Sequence, residues 1–144
     1  MAVHLIKLCV GAEAVEDLLA WQADRIAERR AAGLDPHPYH VTRMWPKRAD
    51  ELTDGGSLYW VFRGLVLARQ RVLGLEARQG ADGIGRCAIR LDAEVVRTVP
   101  QPRRPFQGWR YLRPEDAPAD LAAGQAEADL PPTLAAGLAE LGVL

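Results

Sequence analysis

From position 55 to 74 the chain reads Gly-Gly-Ser-Leu-Tyr-Trp-Val-Phe-Arg-Gly-Leu-Val-Leu-Ala-Arg-Gln-Arg-Val-Leu-Gly. Branched and aromatic side chains suit a pleated, half-buried surface, and a glycine between two such runs marks a bend. The stretch is read as two apolar strands folded at Gly64. Leu58, Trp60 and Phe62 share one face of the first strand; Tyr59, Val61 and Arg63 share the other. In the second, residues 65–76, Leu65, Leu67, Leu73 and Leu75 share a parity with Arg69 and Arg71. A strand that passes from core to surface midway does this, as in a strongly curved sheet.

The remaining segments are arranged around that hairpin. Residues 3–10 are apolar at both parities, which predicts a central strand covered on both faces and makes Cys9 a small core residue. Residues 13–32 form a helix, with Val15, Leu18, Leu19, Gln22 and Ile26 on one stripe. Acidic residues open that helix, Arg25, Arg29 and Arg30 close it, and Gly33 stops it. Two prolines make residues 35–40 a loop. A short strand over 41–45, a helical turn or two over 46–52 and a tight turn at Asp54-Gly55-Gly56 lead into the hairpin. Residues 84–92 alternate cleanly, with Cys87, Ile89 and Leu91 inward and Arg86 and Arg90 outward. One further strand over 94–99 is stopped by Pro100, and helices are expected over 114–123 and 129–141.

Charge is unevenly spread. Residues 43–113 carry 14 basic and 7 acidic side chains, a net of +7, and residues 114–144 carry 6 acidic and no basic ones. The basic middle is either an anion-binding face or a face that the acidic segment covers and neutralises. No apolar run approaches the roughly 20 residues of a membrane helix. Lys7 interrupts the apolar start and no basic region precedes it, so a secretory leader is not expected and the expected compartment is the cytoplasm.

Several chemistries find no support. Ser57, the only serine, precedes a strand and lacks the nucleophile-elbow spacing. Gly80, Gly83 and Gly85 neither open a helix nor match a phosphate loop. His37 and His40 lack a third ligand at a recognisable spacing, and Cys9 and Cys87 form no metal or redox motif, so no metal and no cofactor is expected. Asp50, Glu51 and Asp54 read as a solvated acidic turn, and no catalytic residue is assigned.

The stronger signal is basic and aromatic. Arginines supply phosphate contacts, and exposed rings supply stacking surfaces for bases. The expected ligand residues are Arg43, Lys47, Arg48, Tyr59, Trp60, Arg63, Arg69, Arg71, Arg103, Arg104, Trp109 and Arg110, with Trp45, Phe106 and Tyr111 as further stackers. The hairpin and the segment Arg103 to Tyr111 are expected to lie side by side and form one cleft.

Three stretches carry a resemblance: His4-Leu5-Ile6-Lys7-Leu8-Cys9-Val10-Gly11 with Val15-Glu16-Asp17-Leu18; Gly55-Gly56-Ser57-Leu58-Tyr59-Trp60-Val61; and Arg104-Pro105-Phe106-Gln107-Gly108-Trp109-Arg110-Tyr111-Leu112. Over nearly its whole length the chain resembles the alphaproteobacterial family called domain of unknown function 1489, which implies no catalytic residue. The order of strand, helix and curved strands is similar to the PUA-like superfamily, including the ASCH and EVE domains. That likeness implies a pseudo-barrel binding RNA or modified bases in a basic cleft.

The sequence therefore predicts one α+β domain over 1–144. It has a curved, mostly antiparallel sheet or open PUA-like pseudo-barrel flanked by helices, and an acidic helical segment over 114–144. The function read from it is binding of RNA, DNA or a nucleotide-like anion. The alternatives are a protein-interaction module or an enzyme acting on a small phosphorylated or nucleoside substrate.

Overall fold

A computed structural model describes residues 2–121. Its elements run β1 (His4–Leu8), α1 (Val15–Ala31), β2 (Tyr39–Thr42), α2 (Ala49–Thr53), β3 (Ser57–Phe62), β4 (Leu65–Gln79), β5 (Gly85–Leu91), β6 (Val96–Pro102) and β7 (Trp109–Leu112). The seven strands form one mixed, open sheet in the order β2-β5-β4-β3-β1-β7, with β6 also paired to β4. Only β1 and β3 are parallel; the other pairings are antiparallel. The chain is thus α+β with a curved, mostly antiparallel sheet.

The long β4 organises the sheet. It pairs with β3 along Leu65 to Arg71, and β5 and then β6 run back beside its second and first halves. Register shifts interrupt all three ladders, and such bulges add local bend and twist. One of them explains Pro100, which lies within β6 instead of ending it. Between the pairs Ala68↔Arg97 and Val66↔Gln101, three β6 residues stand opposite one on β4, so a missing N–H costs no regular ladder bond.

Both faces of the sheet are covered near β1 and β3, and every residue of β3 is buried. Leu5, Leu58, Trp60, Phe62, Ala68, Cys87, Ile89, Leu91 and Trp109 form the larger core, together with Val15 and Leu18 of α1. Ile6, Tyr59, Val61, Val66 and Leu112 form a second core on the opposite face. Cys9 and Cys87 are free and buried, each thiol pushed up to about 11 by burial.

Local chemistry fixes α1. The Asp17 carboxylate reaches back to accept the N–H groups of Glu13 and Ala14 at 2.9 and 3.2 Å, satisfying donors the first turn leaves open. At the other end Gly33 takes φ 72°, and the N–H groups of Gly33 and Leu34 return to the carbonyls of Arg30 and Arg29. This is the helix-ending motif that a left-handed glycine permits.

The expected helix over 114–123 is not formed through residue 121. A single 3-10 turn, Pro114–Asp116, gives way to extended chain. There the Val99 N–H donates to Ala119 O and the Leu121 N–H to Arg97 O, along the edge of β6. A strand edge offering unpaired backbone groups outcompetes a helix interrupted by Pro118. The expected helix over 129–141 lies outside the described residues.

Candidate functional site

Among the described residues the hairpin of β3 and β4 and the segment 103–111 are joined through backbone at one end, where the Arg103 N–H donates to Gly64 O at 2.8 Å, and otherwise touch through side chains in the two cores. Beyond that point β7 pairs with β1, so β1 stands between β7 and the hairpin. The single cleft expected from sequence is therefore not formed. Register explains the outcome. Lys7 faces Trp60 on one side and Trp109 on the other, which puts both indoles on the same core-facing side of the sheet.

Three of the six rings expected to stack on a ligand are buried: Tyr59, Trp60 and Trp109 are each 5% exposed, whereas Phe106 and Tyr111 are half-buried and Trp45 is exposed. The Trp109 Nε1–H donates to Met44 O at 3.1 Å, and its ring stands edge-on to Tyr111 at 4.9 Å. Trp109 thereby pins the 43–48 loop to β7. Tyr59 stands edge-on to His4. Trp60 belongs to a buried amide network. Its Nε1–H donates to Gln70 Oε1 at 2.9 Å, and Gln22 Nε2 donates to the same oxygen at 2.8 Å. Gln70 Nε2 donates to Gln22 Oε1 at 2.7 Å and to Asp92 O at 2.9 Å. Gln70 is fully buried, yet all its hydrogen-bonding groups have partners.

Two of the expected arginines stand apart from the rest. Arg69 makes a two-pronged contact with Asp120, 2.7 Å at each nitrogen, and Nη1 donates to Ser57 Oγ. Asp120 holds the Arg69 guanidinium above its usual pKa, and Arg69 in turn lowers the Asp120 carboxyl. At this point the acidic segment does neutralise the basic middle. Arg71, further along β4, is exposed and opposite Ser57, with β3 and β1 between it and β7. Ser57 donates its N–H to His4 Nδ1 at 2.9 Å, and its hydroxyl accepts from Arg69; among the described residues no base is placed to activate it.

The other cations gather along the β7 edge. Arg103, Arg104, Phe106, Arg110 and Tyr111, with two prolines, line an open hollow of about 540 Å³. The Arg103 and Arg110 guanidiniums stand 5.9 and 5.6 Å from the Phe106 ring centre. On the other side of β7, Arg48 lies over Tyr111 at 5.5 Å, and its backbone N–H donates to the Tyr111 hydroxyl at 3.0 Å. Arg43 and Lys47 are exposed on the same loop, beside Met44 and Trp45. Arg63 is exposed on the turn next to Gly64 and pairs loosely with Glu13 at 3.3 Å. Of the cations Arg43, Lys47, Arg48, Arg103, Arg104 and Arg110, only Arg48 has a carboxylate partner among the described residues, namely Glu51.

Comparison with known proteins adds one result. A family model described as "Protein of unknown function (DUF1489)" matches residues 5–144. The chain belongs to this family. No curated protein and no solved structure matches it. Family membership agrees with the three stretches singled out in the sequence and leaves residue roles to geometry.

Sequence reasoning missed the amide network. Its one trace was Gln22 on the otherwise apolar stripe of α1; the partner Gln70 lies 48 residues away. Among the described residues no group of three or more His, Cys, Asp or Glu comes together, so His37 and His40 do not join a metal-type cluster there. His37 instead sits against Asp35, and that contact holds the Asp35 carboxyl down to about 2.

Proposed function

We propose that the protein binds single-stranded nucleic acid, or a nucleotide-like anion, along the β7 edge. The observation that carries this reading is the collection of Arg48, Arg103, Arg104 and Arg110 around Tyr111 and Phe106 with Glu51 as their one carboxylate among the described residues. Like charges held together on a surface raise the local potential, and a polyanion lowers that energy while releasing its own counterions. Phe106 and Tyr111 supply flat faces beside those charges, the pairing single strands favour. Relative to the sequence expectation, the site loses Tyr59, Trp60, Trp109, Arg69 and Arg71 and keeps Arg48, Arg103 and Arg104 on loops and Arg110 on β7.

The likeness to PUA-like pseudo-barrels enters as a fold analogy, supported by the curved sheet with a helix after its first strand. A cytoplasmic setting fits two cysteines held apart as buried thiols. No described helix is long and apolar enough to cross a membrane.

A second reading has its own support. Val41, Met44 and Trp45 are 42%, 52% and 44% exposed on and just after β2, and such neighbouring apolar residues suit a protein partner. The test is a mobility-shift assay with a single-stranded RNA on the native protein, Arg104→Ala with Arg110→Ala, and Met44→Ser with Trp45→Ser. Loss of the shift in the arginine variant alone supports the nucleic-acid reading. No shift with native protein at low salt overturns it.

A further inference from the structure

A second hollow lies between α1, β1 and the start of β2, and it shares no residue with the hollow at β7. Its volume is about 200 Å³, and Lys7, Trp21, Gln22, Arg25, His40 and Trp60 are in its wall. Lys7 is the telling residue. On β1 it occupies the same parity as Leu5 and Cys9, which are both in the larger core, and it is half-buried. A charge on the core-facing side of a strand is costly unless something compensates it. Among the described residues no carboxylate lies within ion-pair reach of Lys7 or of Arg25, and no residue lining the hollow is acidic.

The rest of the wall is flat and largely apolar. Trp21 is 43% exposed although its ring leans on the loop after β1, its Cη2 lying 3.5 Å from the position of a Cβ on Gly11. Gly11 has φ 84°, a left-handed backbone that favours glycine, and the turn it makes lies in van der Waals contact with the indole. Trp60 meets His40 edge-on at 5.4 Å at the inner end. The reciprocal Gln22–Gln70 pair holds α1, and with it Trp21 and Arg25, over the opening. His40 Nε2 is enclosed without a hydrogen-bond partner among the described residues, and burial followed by Lys7 lowers its pKa to about 4, so the imidazole is neutral. The positive charge of the wall therefore comes from Lys7 and Arg25.

We propose that this hollow binds a small planar organic anion, a carboxylate on a single aromatic or heteroaromatic ring. The volume holds about seven waters at roughly 30 Å³ each. That admits one ring and its carboxylate and is smaller than the pockets of about 300–1,000 Å³ that enclose drug-sized ligands, so a ligand as large as a nucleotide does not fit inside it. The carboxylate meets Lys7 and Arg25, and the ring lies against the indoles.

The test titrates the full chain with benzoate and nicotinate, with the neutral isosteres benzamide and nicotinamide, and with acetate and sulfate. Indole N–H signals in two-dimensional NMR report the site, and calorimetry reports affinity. The expected result is that both aromatic carboxylates shift the Trp21 indole signal and bind at least about tenfold more tightly than their amides. Lys7→Met and Arg25→Met each cost about tenfold in carboxylate affinity; Arg25 is exposed, so that variant leaves folding aside. Trp21→Ala weakens aromatic carboxylates and leaves acetate unchanged, and Arg104→Ala with Arg110→Ala changes none of these values. The proposal is overturned if no carboxylate binds, if amides or acetate and sulfate bind as well as the aromatic carboxylates, or if both cation variants retain full affinity.

Discussion

Replacing Gln70 by leucine keeps its approximate volume and deletes four hydrogen bonds at once. The cost follows from what is stranded. Trp60 Nε1–H is buried and Asp92 O is part-buried, and each unpaired group costs about 1–3 kcal/mol. Gln22 is part-buried on α1 and can turn its amide to water, which adds little. The expected loss is about 2–6 kcal/mol out of a typical total of about 5–15. For a chain near 150 residues about 4 kcal/mol corresponds to a fall of roughly 8–16 °C in Tm. Urea denaturation followed by tryptophan fluorescence measures it directly. Gln22→Leu in the Gln70→Leu background then buries two apolar side chains where two amides had faced one another. The double variant is expected to be about 1–2 kcal/mol more stable than the summed single effects predict. A fall in Tm below about 2 °C for Gln70→Leu, or strict additivity, would refute the network as a stabilising element.

His40 makes stability pH-dependent. Its folded pKa of about 4 lies below the unfolded 6.5, so the unfolded chain takes up a proton first as pH falls. The stabilisation is full above pH 6.5 and is lost between 6.5 and about 4, by about 3 kcal/mol in all; urea midpoints of the native protein and His40→Gln across that range check it, and equal slopes contradict it. Gly56→Ala drives a Cβ into the carbonyl oxygens of Val3 and Leu52, and backbone cannot yield as a side chain does. It is expected to cost more than about 3 kcal/mol, read as a lower urea midpoint, whereas Gly74→Ala, where a Cβ meets nothing within 4 Å, is expected to cost less than about 1. Cys9 and Cys87 are expected to react with a thiol reagent only as fast as the protein opens, because both are buried with raised pKa; rapid labelling of either in native protein contradicts their placement.

Local periodicity reported well what it can report. Two-sided apolarity marked β1 as a central strand, alternation set the inward face of β5, and the helix of α1 carried its own start and stop signals. Partner choice is not local. Nothing in Trp109-Arg110-Tyr111-Leu112 says that it pairs with β1 instead of the hairpin, and that pairing is what turns Trp109 into core. A ring beside arginines reads the same in sequence whether the strand faces inward or outward. Arg69 likewise looks free until Asp120, 51 residues later, arrives beside it. What sequence did preserve of the site is chiefly the part on loops, where Arg48, Arg103 and Arg104 need no pairing register to reach solvent; Arg110 joins them from the solvent edge of the sheet, on β7.

The central claim is that arginines at the β7 edge contact phosphates, and the salt dependence of binding tests it most directly. Fluorescence anisotropy with a labelled single-stranded RNA is recorded over a series of salt concentrations. If Arg48, Arg103, Arg104 and Arg110 each neutralise one phosphate, log K falls against log salt with a slope of about −3. The variant carrying Arg103→Ala, Arg104→Ala and Arg110→Ala retains one such contact and is expected to show a slope of about −1. An absence of binding at low salt, or a slope that the triple variant leaves unchanged, would contradict the account.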